Sequence, residues 1–243
     1  MPWGLSDGSI PDDATRCRID ELTIPPAWRD VWIGEDPDSH LQATGIDDED
    51  RKQYRYHERW REIRYDAKFA GLIEFADALA EIRKRVATDL AANALTRARS
   101  VAAVVRLLGT SLIRVETNGT PPRTTPSAPP HWRLVTSAHV DDYLADTVGS
   151  SATAKTFPTW GATAIAVRTL ATVTSDASHE QGFLAAVDAA AQALGNTRAV
   201  CRSCYVAPAI ASAAVSGSLA DAWASSRAGR WRDRSENATA KLL

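Results

Sequence analysis

Cysteine is scarce in this chain. Cys17, Cys201 and Cys204 are the only three in 243 residues, too few and too odd in number for a disulfide framework, so a reducing cytoplasm is the expected compartment. No apolar run approaches the ~20 residues that cross a bilayer as a helix, and no membrane partner is expected. The first residues, MPWGLSDGSIPDD, lack a basic start followed by an apolar stretch, so no secretory signal is expected. His40, His57, His131, His139 and His179 show no metal-ligand spacing, and neither a metal nor another cofactor is expected. Cys201-x-x-Cys204 has no second ligand pair and reads as two small side chains on a helix beside Tyr205. An excess of either charge is missing too: the net charge is −2, which by itself argues mildly against a nucleic-acid partner.

What is present is ordinary globular material. Hydrophobic residues make up 44% and charged residues 24%, and the length suits one large domain or a small one plus a medium one. The charges are unevenly spread. Glu35, Asp36, Asp38, Asp47, Asp48, Glu49 and Asp50 form a wholly acidic run. Arg51, Lys52, Arg55, Arg59, Arg61, Arg64 and Lys68 follow, and then Arg83, Lys84, Arg85, Arg97, Arg99 and Arg106. Charge runs alone commonly mark solvated faces. Aromatic residues interleaved with the first basic set raise the alternative of a nucleic-acid surface.

Residues 1–64 are rich in Trp, Tyr, Pro and Asp, with β-type pieces at 31–33 and 53–57, and read as a small β-containing domain. Residues 65–224 read as mainly helical. Phe69, Leu72, Ile73, Ala76, Leu79 and Ile82 recur at helical spacing, as do Val101, Val104, Val105 and Leu108. Further helices are expected at 140–147, 163–172, 182–194 and 207–224, with Gly195 as a C-terminal cap. Residues 116–134 lose all periodicity in a proline-rich loop, whose composition resembles a deletion or frameshift joint. Translation of the encoding locus in three frames tests that idea. Residues 225–243 read as a frayed polar tail. Trp28, Trp32 and Trp60 are expected to pack rather than to stack on bases.

Two stretches are distinctive. The first joins Ile24-Pro25-Pro26-Ala27-Trp28-Arg29-Asp30-Val31-Trp32-Ile33, His40-Leu41-Gln42-Ala43-Thr44-Gly45 and Arg51-Lys52-Gln53-Tyr54-Arg55-Tyr56-His57. The second joins Leu194-Gly195-Asn196-Thr197, Val200-Cys201-Arg202 and Tyr205-Val206. In the first, Arg51, Lys52 and Arg55 suit phosphates, and the Gln53 amide suits an adenine edge. On a strand Gln53 and Arg55 would face one way, Tyr54 and Tyr56 the other. Together the two stretches resemble the DNA topoisomerase IB family in its compact bacterial and poxvirus form, over residues 14–115 and 136–211.

The resemblance implies an α+β architecture: a small N-terminal β-containing DNA-clamping domain, then a mainly α-helical catalytic domain of the topoisomerase IB and tyrosine recombinase type. It implies duplex DNA as partner, no nucleotide, no metal, a monomer, and relaxation of supercoils through a 3′-phosphotyrosyl intermediate. The nucleophile position falls on Tyr205, the first arginine on Arg114, and a histidine-or-asparagine position on Asn196. Gln53 and Tyr54 fall on DNA-touching positions, with Arg51, Lys52, Arg55 and Tyr56 beside them. Two roles have no occupant. Pro158, in Lys155-Thr156-Phe157-Pro158-Thr159-Trp160, stands where the second arginine belongs. No lysine lies between Lys84 and Lys155, where a general-acid lysine would ride on a β-hairpin that this chain is expected to lack. One preorganised charge-stabilising group typically contributes on the order of 10²–10³ in rate and a general acid about 10²–10⁴, so impaired catalysis is expected. A DNA-binding protein without the chemistry, or a degenerate remnant, are the alternatives.

Overall fold

The computed structural model describes residues 12–113, 135–149, 152–172 and 178–243. The chain divides into two compact units, residues 1–68 and 69–243. The proline-rich segment 116–134 and Arg114 lie outside the described residues.

The first unit opens with α1 (Asp13–Glu21), whose N-terminal N–H groups are capped by Asp12; its carboxylate accepts from Thr15 N at 2.8 Å. Three strands follow: β1 (Arg29–Ile33), β2 (Leu41–Ile46) and β3 (Lys52–Tyr56), antiparallel in the order β1-β2-β3. Trp32, Thr44 and Tyr54 are cross-strand neighbours, as are Ile33, Ala43 and Arg55. Gly45 is required where it stands, because a Cβ there would sit 2.6 Å from the Trp28 ring. The β1–β2 loop is organised by the buried Gln42. Its Nε2 donates to the carbonyls of Pro37 (2.9 Å) and Ser39 (2.7 Å), and its Oε1 accepts from Arg18 Nη1 at 2.9 Å.

The sequence reading finds β1 and β3 but neither α1 nor β2. The burial of β2 is almost unbroken from end to end, so the polar–apolar alternation of a half-exposed strand never appears. Only Ile19 is buried along α1, which leaves no apolar stripe to detect.

A single helix, α2 (Glu58–Ala91), leaves the first unit and continues into the second. Its buried stripe in the second unit is Phe69, Leu72, Phe75, Ala76, Leu79, Ile82 and Val86. Ile73, expected on that stripe, is 45% exposed and Phe75 takes the core position instead. Among the described residues, seven further helices precede the last: α3 (Arg97–Ser111), α4 (Ser137–Val148), α5 (Thr156–Thr172), α6 (His179–Leu194), α7 (Arg198–Cys204), α8 (Pro208–Ser216) and α9 (Ser218–Ala224). Gly195 caps α6 in the left-handed region (φ 61°) as expected. The helix read across 207–224 is two, because Gly217 turns the chain at φ 83° between α8 and α9. Alanines let α5 and α6 approach closely: Ala162, Ala166, Ala186, Ala190 and Ala191 share one buried cluster with Val187, Leu194, Cys201 and Val206.

The C-terminal residues are not frayed. Arg234–Leu242 form α10, started by a reciprocal capping pair between Asp233 and Glu236. Arg83 of α2 grips the Glu236 carboxylate through both terminal nitrogens, at 2.7 and 2.6 Å. Trp160 Nε1 donates to the same carboxylate at 3.2 Å. A polar composition misleads here because the polar atoms are the docking contacts.

Candidate functional site

The alternation of β3 divides its side chains between two environments. Lys52, Tyr54 and Tyr56 are exposed, while Gln53 and Arg55 are half-buried. The Tyr54 and Tyr56 rings stack at 6.0 Å between centroids, 13° from parallel. Lys52 Nζ lies 5.8 Å from the centre of the Tyr54 ring. Trp32 shares this face by its register with Thr44 and Tyr54, and is 52% exposed. That corrects the expectation that Trp32 packs. A register irregularity between Arg29 and Trp32 shifts the strand's parity, and no residue-by-residue alternation from Trp28 predicts where Trp32 points. Trp28 and Trp60 do pack: Trp28 lies against Gly45 and under the Arg55 guanidinium (5.7 Å), and Trp60 meets His40 at 5.0 Å.

On the other face, Arg55 Nη2 donates to Thr23 O at 3.1 Å, and Gln53 Nε2 donates to Asp47 Oδ2 at 2.7 Å. Arg51 is held by two carboxylates, Asp47 at 2.9 Å and Glu49 at 2.7 Å. Asp47 is the hub of this turn. Hydrogen bonds from the Arg51 backbone N–H, the Arg51 side chain, Gln53 and the Glu49 N–H hold its carboxyl down at about 2, against a smaller opposing effect of burial. Sequence reasoning names Arg51 and Gln53 but not the carboxylate that holds both; its signal is an Asp opening a strand-to-strand turn.

In the second unit, Tyr205 follows the last turn of α7. Its N–H donates to Cys201 O at 2.9 Å and its ring packs against the alanine-rich cluster. Thr163 of α5, itself fully buried, ties down this segment. Its hydroxyl lies 3.2 Å from Tyr205 O and 2.8 Å from Thr159 O as a donor, and accepts from Ala207 N at 3.2 Å. No sequence signal marks Thr163. Asn196 lies just before α7, with its amide nitrogen buried and without a hydrogen-bond partner. Tyr205 and Asn196 thus flank a seven-residue helix, about 10 Å long at the α-helical rise. Cys201 is fully buried, and burial pushes its thiol up to about 11; Cys204 is exposed. Arg202 lies 5.8 Å from the Phe183 ring, and Arg198 is paired with Asp188 at 2.5 Å.

Pro158 occupies the first turn of α5 and is buried beside Phe157 and Trp160. It does not break the helix there. First-turn N–H groups have no helical partner, so proline is tolerated there. Among the described residues no group of three or more His, Cys, Asp or Glu side chains is placed to hold a metal.

A three-stranded antiparallel sheet with an exposed aromatic-basic face, followed by helices carrying a half-buried tyrosine, defines an α+β chain. Residues 5–47 match the family model of the N-terminal domain of bacterial DNA topoisomerase IB. The DNA topoisomerase 1B of Acanthamoeba polyphaga mimivirus is 42% identical over 72 residues, which cover 30% of this chain and 21% of that protein. Over these segments the chain is similar to the topoisomerase IB family, and it spans about a fifth of the length of this curated relative.

Proposed function

We propose that the chain binds duplex DNA through the exposed face of the β1-β2-β3 sheet, and that Tyr205 is a strand-cleaving nucleophile working at a greatly reduced rate. The observation that carries the binding half is the co-location of Lys52, Tyr54, Tyr56 and Trp32 on one solvent-facing surface. A cation beside flat, hydroxyl-bearing rings suits a phosphate backbone and its neighbouring bases. Kinship with the topoisomerase IB family supports the same reading.

In the chemistry that the resemblance implies, the Tyr205 hydroxyl attacks a phosphodiester. The bond to the 5′ oxygen breaks, a 3′-phosphotyrosine forms, and the departing oxygen takes a proton to become a 5′-hydroxyl. That hydroxyl later attacks the phosphotyrosine and restores the strand. Neither ATP nor metal enters. Negative charge grows on the non-bridging oxygens, so cationic and hydrogen-bonding groups must already stand there. Arg114 and Asn196 are the candidates present. Pro158 supplies neither charge nor donor, and its buried position in α5 supports a weakened site. Without a general acid as well, cleavage and religation slow together, because they share one transition state.

Relaxation of supercoiled plasmid by wild type beside Tyr205→Phe tests the chemistry. Slow relaxation by wild type and none by the variant is expected; equal activity in both removes Tyr205 as nucleophile. Binding is tested separately by fluorescence anisotropy on a duplex. Lys52→Ala is expected to flatten the dependence of log affinity on log salt by about 0.9, the loss of one phosphate contact. An unchanged slope would remove Lys52 from the interface.

A further inference from the structure

Asp47 is placed to control how much cation the sheet can offer. Its Oδ1 accepts the backbone N–H groups of Glu49 (3.0 Å) and Arg51 (2.9 Å), which builds the β2–β3 turn. Its Oδ2 does something different: it accepts from Arg51 Nε (2.9 Å) and Gln53 Nε2 (2.7 Å), and lies 2.9 Å from Arg51 Nη2. Glu49 takes the remaining guanidinium nitrogen, Nη1, at 2.7 Å. Every nitrogen of the Arg51 guanidinium therefore meets a carboxylate. The same turn holds Arg29 of β1 through Asp50 at 2.6 Å. A phosphate presents the same planar-fork geometry to arginine as a carboxylate does. Arg51 is 61% exposed, so a phosphate can reach it, and exposed ion pairs are weak enough to exchange. Lys52, next in sequence, forms no ion pair among the described residues.

We propose that Asp47 is an affinity-determining residue of this face: in the free chain its carboxylate occupies Arg51 and Gln53, and duplex DNA binds by displacing that carboxylate with a backbone phosphate. The acidic run and the basic run of the sequence are then one device, in which the turn 47–50 masks cations at the ends of β1 and β3. This inference rests on the proposed DNA-binding reading and specifies what tunes it.

Asp47→Asn separates the two jobs of the residue. An Asn Oδ1 still accepts the Glu49 and Arg51 N–H groups and keeps the turn, whereas its amide nitrogen cannot accept from Arg51 or Gln53. Duplex affinity is measured by anisotropy for wild type, Asp47→Asn, Asp47→Asn with Glu49→Gln, and Asp48→Asn. Asp48→Asn removes the same charge from the same turn, but Asp48 does not bond Arg51. With no carboxylate to displace from Arg51, the Asp47 variants should bind the duplex about threefold more tightly than wild type at a given salt, the typical worth of an exposed ion pair. In an Arg51→Ala background the gain should vanish. Equal gains from Asp47→Asn and Asp48→Asn, or a gain that survives Arg51→Ala, would overturn the proposal and leave DNA binding intact. An Asp47→Asn that binds more weakly than wild type, with the turn's amide exchange unchanged, would overturn it too. No duplex binding by wild type or any variant would instead remove the DNA-binding reading, and this inference with it.

Discussion

On the sheet, three large aromatic side chains of the first unit stand in solvent: Trp32, Tyr54 and Tyr56 are 52%, 48% and 37% exposed. Around Tyr205 the second unit does the reverse, filling the space between α5 and α6 with alanine and burying Pro158, Thr163 and Cys201. Exposed aromatic area costs a folded chain hydrophobic stabilisation, so its retention on one face is a signature of contact with something else. Dense packing of small side chains has an ordinary explanation in helix–helix approach and says nothing of chemistry by itself. The candidate binding surface is thus conspicuous, whereas the tyrosine site is held by contacts that serve the fold equally well.

The contrast can be broken most strongly at the far end of the chain. Arg83→Ala leaves the Glu236 carboxylate, 9% exposed, with Trp160 as its remaining side-chain donor. Removing one partner of a buried pair typically costs about 3–5 kcal/mol; because Arg83 is itself 32% exposed, about 3 kcal/mol is expected. Urea unfolding followed by helical circular dichroism reads the loss, and an unchanged midpoint would show that α10 is not anchored there.

A matched pair of glycine substitutions compares the two units directly. Gly45→Ala puts a methyl 2.6 Å from the Trp28 ring, and Gly161→Ala puts one 2.2 Å from Leu112 Cδ2. Overpacking of this kind costs about 1–3 kcal/mol. The indole is a rigid, bulky obstacle and the leucine methyl is the end of a side chain that can rotate. Gly45→Ala is therefore expected to be the costlier, and thermal melts of the two variants check the order.

Thr163→Val sharpens the tyrosine side. It strands the Ala207 N–H in a buried place, at about 1–2 kcal/mol, and loosens the Tyr205-Val206-Ala207 segment. Hydrogen exchange at the Ala207 amide should quicken in Thr163→Val and return towards wild type in Thr163→Ser. Equal protection in all three would remove Thr163 as an anchor.

The smallest effect expected is a pH dependence of the β2–β3 turn. The carboxyl of Asp47 is held down at about 2 when folded, against about 3.9 for a free aspartate. A lowered folded pKa adds stability that is present above the unfolded value and is lost as pH falls towards the folded one. The Glu49 and Arg51 amide resonances should therefore hold steady down to about pH 4 and move between about 4 and 2. In Asp47→Asn that movement should disappear.

Much of the fold was legible because its signals are local. Period-two placement separated Gln53 and Arg55 from Tyr54 and Tyr56, and the register agrees. Glycine in the left-handed region closes α6 at Gly195. The β2 strand leaves no sequence signal because burial on both faces erases alternation, and α10 reads as a tail because its docking atoms are polar. The family resemblance rests on ordered runs of residues, and the matched segment 5–47 agrees with it. The exposure of Trp32, the grip of Thr163 and the hub at Asp47 each depend on a partner elsewhere on another element.

By itself the sequence determined the class of chain, a small β-containing segment and then helices, and the ordered runs that carry the family resemblance. These follow from periodicity, composition and residue identity, which are properties of neighbours along the chain. Only the tertiary structure decided that Asp47 and Glu49 enclose Arg51, that Pro158 is buried in a first turn without breaking it, and that the polar C-terminus is an anchored helix. Each of these is a matter of which polar or apolar partner a side chain meets, and the register irregularity, the turn and the helix docking that set those partners leave no periodic trace.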